Sequence, residues 1–192
     1  FHRAEYHPSL VEFWPQVKAT KVMVPFCGMS LDMNFALEQG AKVVGVELAR
    51  EAIEQYLSLR QLELKTQSWG EFEHYGSEHF DFLIGDVLAL NKEHFQGVDL
   101  IYDRAGMIAV PQDVRSEYAK VLKRCYSGKL LLLSIESDDH WASGPPFNVN
   151  EQEITDYFGR PQVLKREKKP APKHLIEQGF SSYTEITYLI SL

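Results

Sequence analysis

The chain has 192 residues, of which 44% are hydrophobic and 24% charged, an ordinary composition for a globular protein that buries a full core. Its formal net charge of −7 argues against a large phosphate-binding surface, so we expect no nucleic-acid partner. No apolar run approaches the roughly 20 residues that a bilayer-spanning helix requires, and no signal peptide is recognisable, so we expect no membrane partner.

The two cysteines, Cys27 and Cys125, lie far apart in different kinds of segment. Cys27 falls in a turn and Cys125 on the apolar face of a predicted helix, a pattern that is simplest to explain in a reduced, cytoplasmic protein. The seven histidines show no spacing typical of metal ligands, so we expect no metal site. Because the sequence has no repeat and no linker, we predict a single domain over residues 1–192. We also expect a monomer.

The first third of the chain predicts a strand, a tight turn, a helix and a second strand, preceded by a short helix over Pro8–Trp14 that ends at Pro15. The four predicted elements are Lys21–Pro25, Phe26–Ser30, Leu31–Gln39 and Lys42–Glu47. Gly40 is a suitable stop for the second helix. Glu47 follows Gly28 by 19 positions, a spacing typical of a glycine turn and an acid that bind a ribose. The alternative is an ordinary βαβ unit in which Glu47 faces solvent.

The middle of the chain continues to alternate between helical and strand patterns. The predicted elements are the helix Ala49–Arg60, the strands Phe80–Ile84 and Val98–Tyr102, the helix Gln112–Tyr126 and the strand Lys129–Ile135. Between the first two, Leu62–Glu78 is polar with scattered aromatic residues, and it predicts either a mobile excursion or a small hairpin.

The last part of the chain is less regular. A helix is predicted over Glu151–Phe158, with Asn150 as its N-cap and Glu153 as a capping-box partner. Two strands follow, at Gln162–Arg166 and Tyr183–Leu192. Because no long crossover helix joins them, we expect antiparallel pairing at the end of an otherwise parallel sheet that has helices on both faces.

Candidate site residues directly follow four predicted strands: Phe26–Gly28, Glu47, Gly85–Val87 and Asp103–Arg104. Ligands of open α/β sheets bind outside the carboxyl ends of the strands, so these groups can converge on one crevice. Glu47 would bind both ribose hydroxyls. Asp86 would accept a hydrogen bond from an adenine amino group, with Gly85 keeping the backbone close and Val87 against the ring. The alternative for Asp86 is a helix or turn cap.

The character of the ligand follows from the turn and from the charges around it. The turn has one glycine rather than the three of a dinucleotide-binding turn, which favours a nucleoside without phosphates. Arg104 can hold a carboxylate or orient an electron-rich substrate; the alternative is a structural ion pair with Asp103 or a neighbouring acid. Cys27 has no histidine near it in sequence, so a packed turn residue is favoured over a nucleophile.

Four segments together resemble the thiopurine S-methyltransferase family, in the family's order and with similar spacing. They are VPFCGMSLDMNFALEQGAKVVGVE, LIYDRAGMIAVPQDVRSEYA, GPPFNVNEQEITDYFG and YTEITYLISL. The first is similar to the family's strand, Pro-Leu-Cys-Gly-Lys-Ser turn and Gly-Val-Glu strand end. The second and third are similar to its Asp-Arg segment and its Gly-Pro-Pro-Phe loop, which other methyltransferases rarely combine.

The resemblance implies a class I S-adenosylmethionine-dependent methyltransferase, an α/β protein with a three-layer αβα sandwich. Its sheet would be mostly parallel and seven-stranded, with an antiparallel C-terminal strand. The cofactor would be S-adenosyl-L-methionine and the product S-adenosyl-L-homocysteine. The implied cofactor-binding residues are Phe26, Cys27, Gly28, Glu47, Leu48, Gly85, Asp86, Val87 and Arg104. The implied substrate-binding residues are Phe1, Met29, Arg104, Pro146 and Phe147, and Arg104 is also the implied catalytic residue.

The chain departs from the family pattern at several points. Met29 stands where the family usually has Lys, and Phe26 where it usually has Leu. A basic residue that the mammalian enzymes place near the substrate would correspond to Lys173 or His174. The family's preceding segment, whose tryptophans cover the cofactor, is absent from this sequence, and we expect it to be missing upstream of Phe1.

The resemblance implies methyl transfer to the sulfur of a thiopurine or of another aromatic or heterocyclic thiol, with selenium or tellurium oxyanions as further acceptors. The partner would therefore be a small thiol or metalloid substrate. Two alternatives stay open. One is a nicotinamide-dependent oxidoreductase on a related sheet, against which the single-glycine turn and the antiparallel tail argue. The other is a non-catalytic nucleoside-binding module.

Overall fold

The computed structural model describes residues 5–62, 64–137, 144–171, 176–177 and 181–192. Within these ranges the strands are β1 (Lys21–Pro25), β2 (Lys42–Glu47), β3 (Lys65–Trp69), β4 (Phe72–Gly76), β5 (Phe80–Ile84), β6 (Leu100–Asp103), β7 (Lys129–Glu136), β8 (Gln162–Pro170) and β9 (Ser182–Ser191). The α-helices are α1 (Pro8–Val17), α2 (Asp32–Glu38), α3 (Arg50–Leu59), α4 (Gly106–Ala109), α5 (Gln112–Cys125) and α6 (Glu151–Phe158). Short 3₁₀ helices occupy Val87–Ala89 and Lys92–Phe95.

All the strands of the described residues form one sheet in the order β3-β4-β5-β2-β1-β6-β7-β9-β8. The five central strands are parallel, and both ends of the sheet are antiparallel. One apolar cluster joins the sheet to α1, α2 and α3, and a second joins the opposite face to α5 and α6. The predicted three-layer αβα architecture with a mostly parallel centre is therefore confirmed.

Strand β1 lies at the middle of this architecture and is apolar on both faces, as its sequence predicts. Val22 and Val24 belong to the cluster under α1–α3, while Met23 belongs to the cluster under α5 and α6. This alternation follows the two-residue period of a strand. Each face of β1 thereby covers one layer of helices.

The sheet of the described residues has nine strands, so the predicted number of seven is wrong. The difference is the hairpin of β3 and β4, which turns at Gly70 in the left-handed region (φ 63°) and pairs antiparallel with β5. Of the two alternatives for Leu62–Glu78, the hairpin is therefore confirmed. The hairpin pairs with β5 and makes β3 the edge strand at this end of the sheet.

Helix α1 does not end at Pro15, as predicted, but continues to Val17. Proline at this position leaves the carbonyl of Val11 without its helical donor, and Val11 is 44% exposed, so water can bond to that carbonyl. The helix then ends at Lys18, whose φ is 42° and whose N–H donates to the carbonyl of Trp14. Burial of the apolar face of α1 outweighs the interrupted bond.

Two further predictions near the C-terminus are corrected. Strand β8 extends beyond Arg166 to Pro170, because β9 is long enough to pair with it along that length. Asn150 caps α6 by accepting a hydrogen bond from the N–H of Glu153 (2.8 Å), but the Glu153 carboxylate binds Arg115 (2.8 and 3.0 Å) rather than closing a capping box. Gly40, with φ 83°, follows α2 as expected.

Helix α1 is attached to the C-terminal strands by buried polar contacts. His7 Nε2 lies 3.4 Å from Glu185 Oε2, and Lys169 Nζ donates to Glu185 Oε1 (2.5 Å). Burial by itself raises the pKa of Glu185, but the hydrogen bonds and charges of His7 and Lys169 outweigh it and lower that pKa to about 2. The carboxylate of Glu185 therefore stabilises the folded chain.

We expect the substitution Glu185→Gln to lower the free energy of unfolding by about 1–3 kcal/mol at pH 7. Because the folded-state pKa lies below the unfolded value, this stabilisation is complete above about pH 5 and is lost as pH falls toward 2. Urea unfolding of both proteins at several pH values between 7 and 3 measures the effect, and the two stabilities should converge on acidification.

The matched control is Glu12→Gln, which removes a half-exposed pair with Lys165 and should change the stability by less than about 0.5 kcal/mol. A difference between wild type and Glu185→Gln that stays constant with pH would contradict the assigned role of Glu185.

Candidate active site

A cavity of about 400 Å³ opens where β1, β2 and β6 end. This volume lies within the range of roughly 300–1,000 Å³ that is usual for small-molecule sites. Its lining consists of Val24, Pro25, Phe26, Cys27, Gly28, Met29, Ser30, Glu47, Tyr102, Arg104, Ala105 and Ala109. Three of the four predicted strand-end groups thus contribute side chains to one crevice, because parallel strands end at the same edge of the sheet.

The turn after β1 forms one wall of the cavity, and most of its N–H groups are already bonded. Cys27 donates to the carbonyl of Val46 (3.1 Å), Gly28 to the Glu47 carboxylate (2.9 Å), and Ser30 to the carbonyl of Cys27 (3.0 Å). A pyrophosphate needs several free N–H groups at such a turn. The turn therefore suits a ligand without phosphates.

Two residues of the turn, Phe26 and Gly28, have left-handed backbones, with φ of 51° and 47°. Phenylalanine rarely adopts this conformation, and such strain is concentrated at ligand sites. The Phe26 ring packs edge-on against Tyr118, with the ring centroids 5.3 Å apart. Cys27 is buried at 3% exposure, and burial together with the nearby charge of Glu47 raises the pKa of its thiol well above the usual value. Such burial favours a packed turn residue over a nucleophile.

Both carboxylate oxygens of Glu47 accept hydrogen bonds from backbone N–H groups. Oε2 accepts from the N–H of Gly28 and Oε1 from the N–H of Ala49, both at 2.9 Å. A carboxylate has about four acceptor positions, so two bonds leave capacity for two hydroxyl donors. The half-buried side chain is thus fixed in place and retains acceptor capacity toward a ligand.

Arg104 lies at the cavity wall and bonds to a buried acid. Its Nη1 donates to Asp32 Oδ2 (3.2 Å) and lies 3.4 Å from Ser30 Oγ. The hydroxyl of Tyr102 donates to the same oxygen of Asp32 (3.0 Å). Arg104 thus forms an ion pair with Asp32 rather than with Asp103, and its role toward a ligand stays a prediction.

Asp103 instead holds the segment that follows β6. It is fully buried and accepts from the hydroxyl of Tyr118 (2.9 Å) and the N–H of Gly106 (2.7 Å). Burial raises its pKa to about 6 despite these hydrogen bonds. A Cβ on Gly106 would lie 2.9 Å from the Asp103 carboxylate oxygens and from Phe26, so glycine is required here. The contact fixes the start of α4, which carries Ala109 to the cavity.

The fourth predicted group, Gly85–Val87, does not line this cavity. Asp86 is exposed and its Oδ1 accepts from the N–H of Leu88 (2.9 Å), which makes it the cap of a 3₁₀ helix. A Cβ on Gly85 would lie 2.6 Å from the ring of Phe72. Packing by the hairpin thus explains Gly85 without a ligand, and the adenine role of Asp86 remains a prediction. Leu48 is 72% exposed and also lies outside the lining.

The predicted substrate residues are only partly brought to the cavity. Met29 lines it, whereas the half-buried Pro146 and Phe147 do not. Phe147 is close to the site through α4, since its N–H donates to the carbonyl of Ile108 (2.6 Å). Phe1, Lys173 and His174 lie outside the described residues.

Sequence reasoning missed Tyr102 and Asp32. Tyr102 lies in the predicted strand Val98–Tyr102 and Asp32 in the predicted helix Leu31–Gln39, and neither is among the candidate site residues. The signal available in the sequence is an acid directly before Met33 in a helix that is predicted to be buried, because buried carboxylates need specific partners. Among the described residues, no group of three or more His, Cys, Asp and Glu is arranged to hold a metal ion. None of the helices described is long and apolar enough to span a bilayer.

These features fit a nucleoside cofactor without phosphates. The cavity is mostly apolar, and Glu47 keeps acceptor capacity for ribose hydroxyls. The described lining carries one acidic side chain, Glu47, and one basic side chain, Arg104, which is paired with the buried Asp32. Phe26, Cys27 and Gly28 are the residues that would enclose such a cofactor.

The comparisons with known proteins agree with this description. The family model for thiopurine S-methyltransferase (TPMT) matches residues 1–190. Thiopurine S-methyltransferase of Shewanella baltica (strain OS185) is 36% identical over 199 aligned positions, which cover 99% of this chain and 91% of that protein.

Solved structures with low sequence identity share the fold. TehB from Haemophilus influenzae superposes with a TM-score of 0.67 at 14% identity, over 98% of this chain and 63% of that chain. A second structure is that of a 1,6-didemethyltoxoflavin-N1-methyltransferase from Burkholderia thailandensis with bound S-adenosylhomocysteine. It superposes with a TM-score of 0.63 at 18% identity, over 97% of this chain and 78% of that chain. The chain therefore belongs to the thiopurine S-methyltransferase family, and it is an S-adenosylmethionine-dependent methyltransferase with a class I fold.

Proposed function

We propose that the chain transfers a methyl group from S-adenosylmethionine to the sulfur of acidic aromatic or heterocyclic thiols. The observation that carries this proposal is a single guanidinium, that of Arg104, in the wall of an otherwise mostly apolar cavity that also holds Glu47. Apolar walls suit a flat aromatic ring, and a guanidinium favours the anionic form of its sulfur. Selenium and tellurium oxyanions are further acceptors of the same soft, anionic kind.

Glu47 would hold the cofactor through the two ribose hydroxyls, using the acceptor positions that Gly28 and Ala49 leave open. Phe26 and Cys27 would pack against it. When bound, S-adenosylmethionine supplies a methyl group on a sulfonium sulfur, which a soft anionic nucleophile attacks in line. The chain contributes mainly by bringing the two reactants together, which can be worth several kcal/mol.

Two ionisable side chains of the described lining, Tyr102 and Cys27, are poor bases, which favours an acceptor that is already acidic. Burial and the charge of Asp32 raise the pKa of Tyr102 well above its usual value, and burial likewise raises that of Cys27. Neither side chain can accept a proton from the substrate near neutral pH. Acidic aromatic and heterocyclic thiols have less need of such a base, because they lose their proton at a lower pH than aliphatic thiols do.

The alternatives are less well supported. The N–H groups of the turn after β1 are mostly hydrogen-bonded within the protein, which disfavours the pyrophosphate of a nicotinamide cofactor, and the family comparisons favour a methyltransferase.

Calorimetry with S-adenosylhomocysteine and with NAD, followed by methyl transfer assays on a panel of thiols, selenite and tellurite, tests the proposal. Binding of S-adenosylhomocysteine without transfer to any acceptor would favour the non-catalytic alternative.

We expect Glu47→Ala to raise the dissociation constant for S-adenosylhomocysteine by about 10- to 100-fold, because it removes two charge-assisted hydrogen bonds. Isothermal titration calorimetry measures this change. Glu51→Ala, an exposed acid in the first turn of α3, is the matched control and should leave the affinity unchanged. Unchanged affinity in Glu47→Ala itself would refute the ribose role.

We expect Arg104→Ala to lower kcat/KM for an acidic heterocyclic thiol by about 10- to 100-fold while the affinity for S-adenosylhomocysteine stays within about threefold. The reason is that the guanidinium acts mainly on the anionic acceptor. Arg124→Ala, on the exposed side of α5, is the control for loss of positive charge. Equal losses of turnover and of cofactor affinity would contradict this division of roles.

A further inference from the structure

Asp32, the first residue of α2, is a buried acid with three donors from distant parts of the chain. It is 1% exposed. Its Oδ1 accepts from the N–H of His7 (2.7 Å), and its Oδ2 accepts from the hydroxyl of Tyr102 (3.0 Å) and from Arg104 Nη1 (3.2 Å). One carboxylate therefore joins the chain just before α1 to two residues of the cavity wall.

Stability alone does not explain an acid in this place. Burying a carboxylate carries a desolvation penalty that an ion pair does not always repay, and apolar replacements of buried pairs are often as stable. At Asp32 both donors to Oδ2 come from residues that line the cavity, and Ser30, which also lines it, accepts from the N–H of Asp32 (3.3 Å). Asp103, next to Arg104 in sequence, is bonded to Tyr118 and Gly106 instead.

We propose that Asp32 is a positioning residue for methyl transfer, acting by holding the guanidinium of Arg104 at the cavity wall before the acceptor binds. Arginine has many rotamers, so a bond to a fixed carboxylate removes most of the ordering that acceptor binding would otherwise require. Through His7, the same carboxylate makes the position of Arg104 dependent on the docking of the chain that leads into α1. The inference rests on the proposed function for its acceptor, an acidic thiol.

A double-mutant cycle tests whether Asp32 acts through Arg104. The substitution Asp32→Asn keeps the side-chain shape and removes the charge. It should lower kcat/KM for an acidic heterocyclic thiol by about 10- to 50-fold in the wild-type chain, but by less than about threefold when Arg104 is already alanine. The affinity for S-adenosylhomocysteine should stay within about threefold in all four proteins. Equal fold-losses in both backgrounds would mean an independent structural role and would overturn the proposal.

A readout without turnover uses the ¹⁵N–¹H resonance of the Arg104 Nε–Hε group, assigned by its loss in Arg104→Ala. Asp32→Asn should shift or broaden this resonance. The control Asp99→Asn changes an acid that binds the N–H groups of Thr20 and Lys21 at the opposite end of β1, and should leave the resonance in place. An Arg104 resonance that Asp32→Asn does not move would also overturn the proposal.

The two readouts separate the inference from the function on which it rests. If the wild-type protein methylates no thiol, the proposed function fails, while the resonance still decides the placement of Arg104. If Asp32→Asn does not fold, the spectrum of the wild-type protein tests whether the guanidinium of Arg104 is held in place. A held guanidinium should show Nη–Hη signals that exchange slowly with water, and exchange as fast as that of the exposed Arg124 would contradict the proposal.

Discussion

The parallel pairing of β1 with both β2 and β6 is the constraint on which the site depends. The register aligns Val24 with Gly45 on one side and Met23 with Ile101 on the other. The three strands consequently end at one edge of the sheet, where the turn after β1, Glu47 and Arg104 meet in one cavity. A Cβ on Gly45 would lie 2.8 Å from the ring of Phe82 and 2.9 Å from Cys27 Sγ, so the close packing that sets this register requires a glycine.

The turn after β1 decides which ligands the cavity suits. Its N–H groups bond to Val46, Glu47 and Cys27, so few remain for a phosphate, while Glu47 becomes a fixed acceptor with unused capacity. A βαβ unit that holds pyrophosphate presents free N–H groups at the same point. The same turn geometry, including the left-handed Phe26, thus favours a nucleoside over a dinucleotide and supports the cofactor that the family comparison establishes.

Local patterns predicted the local structure well. The apolar run of β1, the stop at Gly40 and the acid at the end of β2 are encoded within about 30 consecutive residues, so they could be read without knowing the fold. Gly85 and Asp86 show the limit of this approach. Their residue types suggested a ligand, but Phe72 packs on Gly85 and Asp86 caps a 3₁₀ helix. Phe72 belongs to the hairpin of β3 and β4. The polar composition of Leu62–Glu78 does not specify that this hairpin pairs with β5.

The sequence by itself determined the family, the central parallel strands and the residues that follow them, because hydrophobic periods and turn residues act over short distances. Only the tertiary structure decided the partners of the charged groups. Asp32 and Arg104 are 72 positions apart, and they meet because β1 and β6 are neighbours in the sheet. Asp103 is adjacent to Arg104 but points into the opposite layer, toward Tyr118. Successive residues at a strand end face opposite sides of the sheet, so nearness in sequence does not predict contact.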